Sequence, residues 1–111
     1  MDNIDRYREI IERVLTEYAQ IPYSYGELES HTVFDRDRDR YVLICVGWND
    51  NRNEYGVIAH LEIINDKIWI QEDNTEEGTA TDLEAAGIPK DKIVLGFRHP
   101  QLRQYTEYSI A

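Results

Sequence analysis

Covalent cross-links, membrane anchors and positive charge are what this sequence lacks. Cys45 is its one cysteine, so no internal disulfide can form and a reducing cytoplasm is the expected compartment. The thiol lies in the apolar run Tyr41–Val46 with no His, Lys or Arg beside it, which predicts a buried structural cysteine rather than a reactive one. No apolar stretch approaches the ~20 residues of a membrane helix, and the N-terminus has no leader-like apolar region. A soluble, unprocessed, cytoplasmic protein is expected. Bases are scarce: twelve Lys and Arg against 22 Asp and Glu leave a net charge of −10. That argues against direct nucleic-acid binding through phosphate neutralisation, and it favours plain solubility or a basic protein partner. Gly47, Gly56, Gly78, Gly87 and Gly96 stand singly, so there is no Gly-rich phosphate loop. Repeats and low-complexity segments are absent as well.

What is present is enough for one core. Of 111 residues, 41% are hydrophobic and 31% charged, which describes one globular domain spanning residues 1–111. Eight tyrosines are a surplus. Each offers apolar area with a wet end, which suits an interface. Asp2–Tyr18 reads as an amphipathic helix, with Ile4, Tyr7, Ile10, Ile11, Val14, Leu15 and Tyr18 on one face. Asp2 or Asn3 can cap it, Glu9 and Arg13 can pair on the wet face, and Pro22 stops it. A Pro- and Tyr-containing connection follows over Ile21–Gly26.

Four strands with short links come next. Glu27–Phe34 alternates and carries a polar face. After the charged turn Asp35–Arg40, Tyr41–Trp48 contains the run Val42, Leu43, Ile44, Cys45, Val46, which predicts burial on both faces. Asn49–Asn53 is turn chemistry leading to Tyr55–Ile64, and Asn65-Asp66 turns into Lys67–Gln71. The acids beyond it form a corner: Asn74 can cap a helix over Thr75–Ala86, with Glu77 reaching back as in a capping box. Gly87 is a left-handed cap. Lys92–Phe97 is a short apolar strand or extended piece, and His99-Pro100 breaks it before one turn of helix through Gln104. The expected fold class is α+β: an N-terminal helix, a four-stranded antiparallel meander, a second helix and a C-terminal extended segment.

Candidate chemistry is thin. Asp35, Asp37 and Asp39 are spaced like the opening ligands of a calcium loop, but Arg40 replaces the sharp-turn glycine and Val46 the bidentate glutamate. A solvated turn accounts for them. His60 and Glu62 share a strand face and suit a polar pair, whereas a zinc deaminase would need paired cysteines. Three scattered histidines make no metal site. Glu62, Asp66, Lys67, Glu72 and Asp73 supply the residue types of a metal-dependent nuclease, yet an acid-rich surface repels DNA. No catalytic, cofactor-binding or metal-binding residues are assigned. Glu72, Asp73, Glu76 and Glu77 read first as helix-start electrostatics and second as an acidic docking face for a basic partner. Arg98 and Arg103 are the C-terminal candidates for contact, binding acids across a dimer interface.

In order along the chain, the sequence resembles the XisI family of fdxN-element excision controlling factors. Tyr7-Arg8-Glu9-Ile10-Ile11, Phe34-Asp35 to Asp39-Arg40-Tyr41 and Val46-Gly47-Trp48 carry the first half of the resemblance. Lys67-Ile68-Trp69-Ile70-Gln71, Asp73, Thr75-Glu76-Glu77-Gly78, Gly87-Ile88-Pro89-Lys90, Ile93 to Phe97 and Arg103 to Glu107 carry the second. The resemblance implies a small α+β protein of cyanobacteria and some other bacteria that forms a homodimer. It implies an accessory role in programmed excision of a DNA element during heterocyst differentiation, beside an XisH-like partner of nuclease-like fold. It implies no catalytic residues and no cofactor. A non-enzymatic regulator of a DNA-acting partner is therefore the expected function, and a metal-dependent nuclease or hydrolase with an acidic site is the alternative.

Overall fold

The computed structural model describes residues 3–22 and 27–111. The first helix, α1 (Asn3–Ala19), forms because its apolar residues recur at helical spacing. Tyr7, Ile10, Ile11, Val14 and Leu15 are buried in one stripe, with Ile4 and Tyr18 packed at its margins. The proposed cap at Asp2, and residues 23–26 of the connection, lie outside the described residues. The expected Glu9–Arg13 pair is not among the ion pairs of the described residues. Arg8 instead meets Asp5 at 2.8 Å and Asp39 at 2.7 Å, and Glu12 meets Arg36 at 2.7 Å.

Four antiparallel strands follow: β1 (Glu27–Asp35), β2 (Arg40–Asn49), β3 (Arg52–Ile64) and β4 (Lys67–Asp73). Their turns use residues that tolerate left-handed backbone: Asp39, Asp50, and Asn65 with Asp66, all at positive φ. Two consecutive left-handed residues make the tightest hairpin turn, which is why Asn65-Asp66 joins β3 to β4 directly. Gly47 marks a close approach of β2 to the start of β1. Its φ is +143°, and a Cβ there would lie 2.0 Å from the Glu27 carbonyl oxygen.

The expected α+β architecture stands, with one strand more than the four of the meander. Of the two readings of Lys92–Phe97 the structure takes the strand: Ile93–Leu95 is β5, paired in parallel with β4, so the sheet has five strands in the order β1-β2-β3-β4-β5. Parallel neighbours need a crossover, and the second helix, α2 (Thr79–Ala85), supplies it. Its exit is a Schellman turn: Ile88 N–H donates to Leu83 C=O and Gly87 N–H to Glu84 C=O, each at 3.0 Å, with Gly87 at φ +104°. The chain ends in a 3-10 turn, Pro100–Tyr105, capped by the His99 ring accepting from Gln101 N–H at 3.2 Å. Ser109 then pairs on the outer edge of β5.

Both helices lie on one face of the sheet. The core there is Tyr41 and Leu43 from β2, Ala59 and Leu61 from β3, and Ile68 and Ile70 from β4, packed against α1 and Leu83 of α2. The opposite face is largely uncovered. By strand alternation and register, Val33↔Val42, Ile44↔Val57 and Val46↔Tyr55 pair on that side. The apolar run of β2 is thus not buried on both faces: Leu43 is buried, while Val42, Ile44, Cys45 and Val46 are half-buried. Cys45 is likewise no core thiol. Among the described residues, no helix is long and apolar enough to cross a membrane.

Candidate functional site

The acidic corner after β4 is built differently from its sequence reading. Asp73, the last residue of β4, turns toward the helices and becomes the organising group. Its carboxylate accepts from Thr75 N–H at 3.0 Å, Thr75 Oγ1 at 2.6 Å, Thr79 N–H at 2.7 Å and Thr79 Oγ1 at 3.0 Å. Thr79 is fully buried, so its hydroxyl needs that partner. The helix therefore starts at Thr79 and not Thr75, and Asp73 performs the capping expected of Asn74. Asn74 is drawn back to β3: its side-chain amide donates to Val57 C=O at 2.9 Å and its N–H to Ile58 C=O at 2.8 Å. Gly78, at φ +88°, cannot be helical, which rules out the predicted box with Glu77.

This leaves three exposed acids, on two sides of the sheet. Glu72 stands opposite His60 in the register and belongs to the open face. Glu76 and Glu77 lie in the loop before α2, on the helix side. There Glu76 borders an apolar cavity of about 530 Å³, walled by Tyr18, Ile21, Leu43, Cys45 and Ile58, with Glu54 also in the lining. A β-bulge lies in the wall of this cavity. Leu43 pairs with Ala59 but Ile44 with Val57, so Ile58 is the extra residue. Glu77 lines an adjoining depression with Glu17 and Asp82. Neither lining contains a lysine or arginine among the described residues, although Arg52 lies 3.8 Å from Glu54. Sequence reasoning missed Glu17, Glu54 and Asp82, because they come from α1, β3 and α2 and meet only through the fold.

Tyr18 joins the two helices at this rim. Its hydroxyl donates to the Asp82 carboxylate, and burial together with that acceptor pushes the phenol up to about 12. The site can therefore offer carboxylates and an un-ionised phenol around an apolar hollow. That is a recognition surface for a cationic and apolar group.

The two C-terminal arginines are separate from it. Arg103 is half-buried, with its guanidinium 5.0 Å from the Trp69 ring centre, and it donates to Arg98 C=O at 3.1 Å and Gly96 C=O at 3.4 Å. It holds the C-terminal turn against β4. Arg98 is exposed beside the Phe97 ring, 5.2 Å from its centre. No ion pair joins either to the four acids among the described residues. His60 and Glu62 do pair, at 3.0 Å, with Arg40 3.9 Å from the same carboxylate oxygen. Asp35 accepts from the Asp37 and Arg38 N–H groups and so shapes the turn, while Asp39 holds Arg8 of α1. Among the described residues no three His, Cys, Asp or Glu gather as a metal site would require. Lys67 is occupied with Ser109 at 2.9 Å and with the Ala111 carbonyl, which ties β4 to the chain end.

Comparison with known proteins locates this arrangement. A family model described as XisI protein matches residues 1–110. A solved XisI-like protein from Anabaena variabilis ATCC 29413 is 34% identical, with a TM-score of 0.90, over 98% of this chain and 100% of that one. The fdxN element excision controlling factor XisI from the same organism is 35% identical, with a TM-score of 0.85, over 99% and 100%. Nothing among the curated proteins matches the chain.

Proposed function

This chain belongs to the XisI family, and from that premise we propose that it is a non-enzymatic accessory factor in excision of a DNA element, acting in the cytoplasm as a homodimer that binds a DNA-acting protein. The partner class is an XisH-like protein of nuclease-like fold. The observation that carries this reading is the apolar cavity on the helix side with Glu54 and Glu76 in its wall and Glu17, Glu77 and Asp82 beside it. A protein that handles DNA must present basic surface to phosphate. An acidic surface on a chain of net charge −10 complements such a region and competes with DNA for it. The apolar hollow adds what charge alone lacks: a place for a side chain to be buried, and so a fixed register.

The test is a pull-down of the full chain with an XisH-like protein, at low and at high salt. A complex that weakens with salt is expected. Glu76→Lys with Glu77→Lys should weaken it by at least about tenfold, since like charges replace complementary ones at the rim. Absence of a complex at low salt, or unchanged affinity of the double variant, sinks the reading.

A further inference from the structure

We propose that the hollow beside Glu54 and Glu76 is the seat of an amphipathic basic helix, entered apolar face first, and that Gly56 keeps its floor open. This deepens the docking reading above and rests on it for the partner. The register sets Ser30 opposite Cys45 and Cys45 opposite Gly56, and all three line the hollow. Its floor is thus a row of small residues across β1, β2 and β3. Gly56 is the informative one. Glycine weakens a strand interior, and it is kept where the backbone demands it or where something packs close. Nothing in this chain makes either demand: Gly56 has no positive φ, and a Cβ there would meet no atom within 4 Å. A larger side chain would simply project into the hollow.

Hydrogen bonding selects a helix. Cys45, at the centre of the floor, is already paired into β1 and β3, so a strand laid over it finds nothing to pair with. The occupant must bring a satisfied backbone and contribute side chains, as a helix does. The layer on this side is helical already. Tyr18 at the end of α1 packs on the core, and Ile21 and Pro22 beyond it form one wall of the hollow, with Ile21 60% exposed. An incoming helix extends that layer over Ser30, Cys45 and Gly56, which α1 and α2 leave half-buried. A volume of about 530 Å³ lies within the roughly 300–1,000 Å³ of sites that enclose a drug-sized group. It takes the apolar side chains that one helix face offers at i and i+3 or i+4.

Charge selects a basic helix. Glu76 is exposed in the wall, and Glu54 has Arg52 no closer than 3.8 Å. Glu17, Glu77 and Asp82 line the adjoining depression. Lysines or arginines that flank an apolar stripe meet these carboxylates as the stripe enters the hollow. An acidic helix is repelled. So is a second copy of this chain meeting through the same surface, because it brings the same acids and a net charge of −10.

Cys45 is the one cysteine of the chain, so its alkylation by N-ethylmaleimide, followed by mass spectrometry on the full chain, reads occupancy of the floor. The probe is a Leu/Lys peptide of about 18 residues, long enough to hold a helix, with Leu at helical spacing. Its control has the same composition with the spacing scrambled. The periodic peptide at saturation should slow alkylation at least about fivefold, and the scrambled one should leave it unchanged. Gly56→Leu fills the hollow without a clash at its Cβ, so it should unfold at the same urea concentration as the unmodified chain or a higher one. By calorimetric titration this variant should bind the periodic peptide at least about tenfold more weakly. A thiol that is unreactive in the free chain overturns the seat. So does protection by both peptides or by neither, or a folded Gly56→Leu chain that binds as tightly. Alkylation within the complex of the pull-down separates the two readings. A complex that leaves Cys45 as reactive as before overturns the helix seat while the docking stands. Protection by the periodic peptide alone, with no complex in the pull-down, keeps the seat and sinks the assigned partner.

Discussion

Asp73 shows how one side chain can carry a junction. It ends a strand, accepts four hydrogen bonds from Thr75 and Thr79, and fixes where α2 begins. Replacing it with alanine strands a buried threonine hydroxyl and an orphan helix N–H together. Bonds to a charged acceptor are worth about 1.5–3 kcal/mol and a cap about 1, so Asp73→Ala should cost about 2–4 kcal/mol in urea unfolding. Glu72→Ala, one residue away and exposed, should cost less than about 0.5 kcal/mol. Equal effects at the two positions would mean that the carboxylate is not the organising group. The sequence signalled that something happens at this corner, since acids, threonines and a glycine crowd it. It misassigned the cap because a carboxylate reaching six residues ahead has no periodic signature. Asn74 in the usual capping position was the stronger local pattern. Gly78 was the one available clue, as a residue suited to backbone that a helix cannot contain.

At the level of elements, the long ones were readable, and the shortest strand only as one of two alternatives. The stripe of α1 and the turns at Asn49–Asn53 and Asn65-Asp66 predicted a helix and hairpins close to those observed, because period and turn chemistry are local properties. β5 has three residues, too few for any period. What makes it a strand is tertiary: β4 on one side and the C-terminal residues on the other. Val94 is fully buried although it sits at the margin of the sheet. Ser109 N–H donates to Ile93 C=O at 2.9 Å, Arg103 lies over Trp69, and the Tyr108 hydroxyl donates to Glu84 of α2 at 2.8 Å. The terminal segment is thus a strap over the last strand. Removing residues 100–111 should lower stability by about 2–4 kcal/mol, the scale of uncovering one or two buried side chains. It should also bare a strand edge that promotes association. Urea unfolding of the shortened chain, with light scattering alongside, measures both. A shortened chain as stable and as monodisperse as the full one would show that β5 stands without its strap.

For the whole molecule, the surplus of tyrosine and the excess of acid turn out to be linked. The sequence suggested interfaces for the tyrosines, and Tyr55 does lie exposed on the open face. Three others donate to carboxylates: Tyr18 to Asp82 between the helices, Tyr108 to Glu84 between the terminus and α2, and Tyr41 to Asp39 within the β1–β2 hairpin. The partners of Tyr108 and Tyr18 are 24 and 64 positions away in the chain, which is why no motif announced those bridges. Asp39 is the most connected of these acids. Arg8 of α1 grips both its oxygens, at 2.7 and 3.1 Å, and so fastens the helix to the β-turn. That hydrogen-bonded guanidinium, with help from Tyr41, holds the Asp39 carboxyl below its ordinary range. A carboxyl with a depressed folded pKa adds stability that is fully present above its unfolded value of about 3.9. That contribution is lost as the pH falls from there through the folded value. Asn in place of Asp39 keeps the shape, accepts a bond from Arg8 and tolerates the left-handed backbone at φ +53°, but it carries no charge. Asp39→Asn should therefore unfold at lower urea than the unmodified chain at about pH 7, and the two midpoints should converge toward about pH 2. Midpoints that stay apart by the same amount across that range would place the effect in packing. Midpoints that never differ would mean that the ion pair does not fasten the helix layer to the sheet.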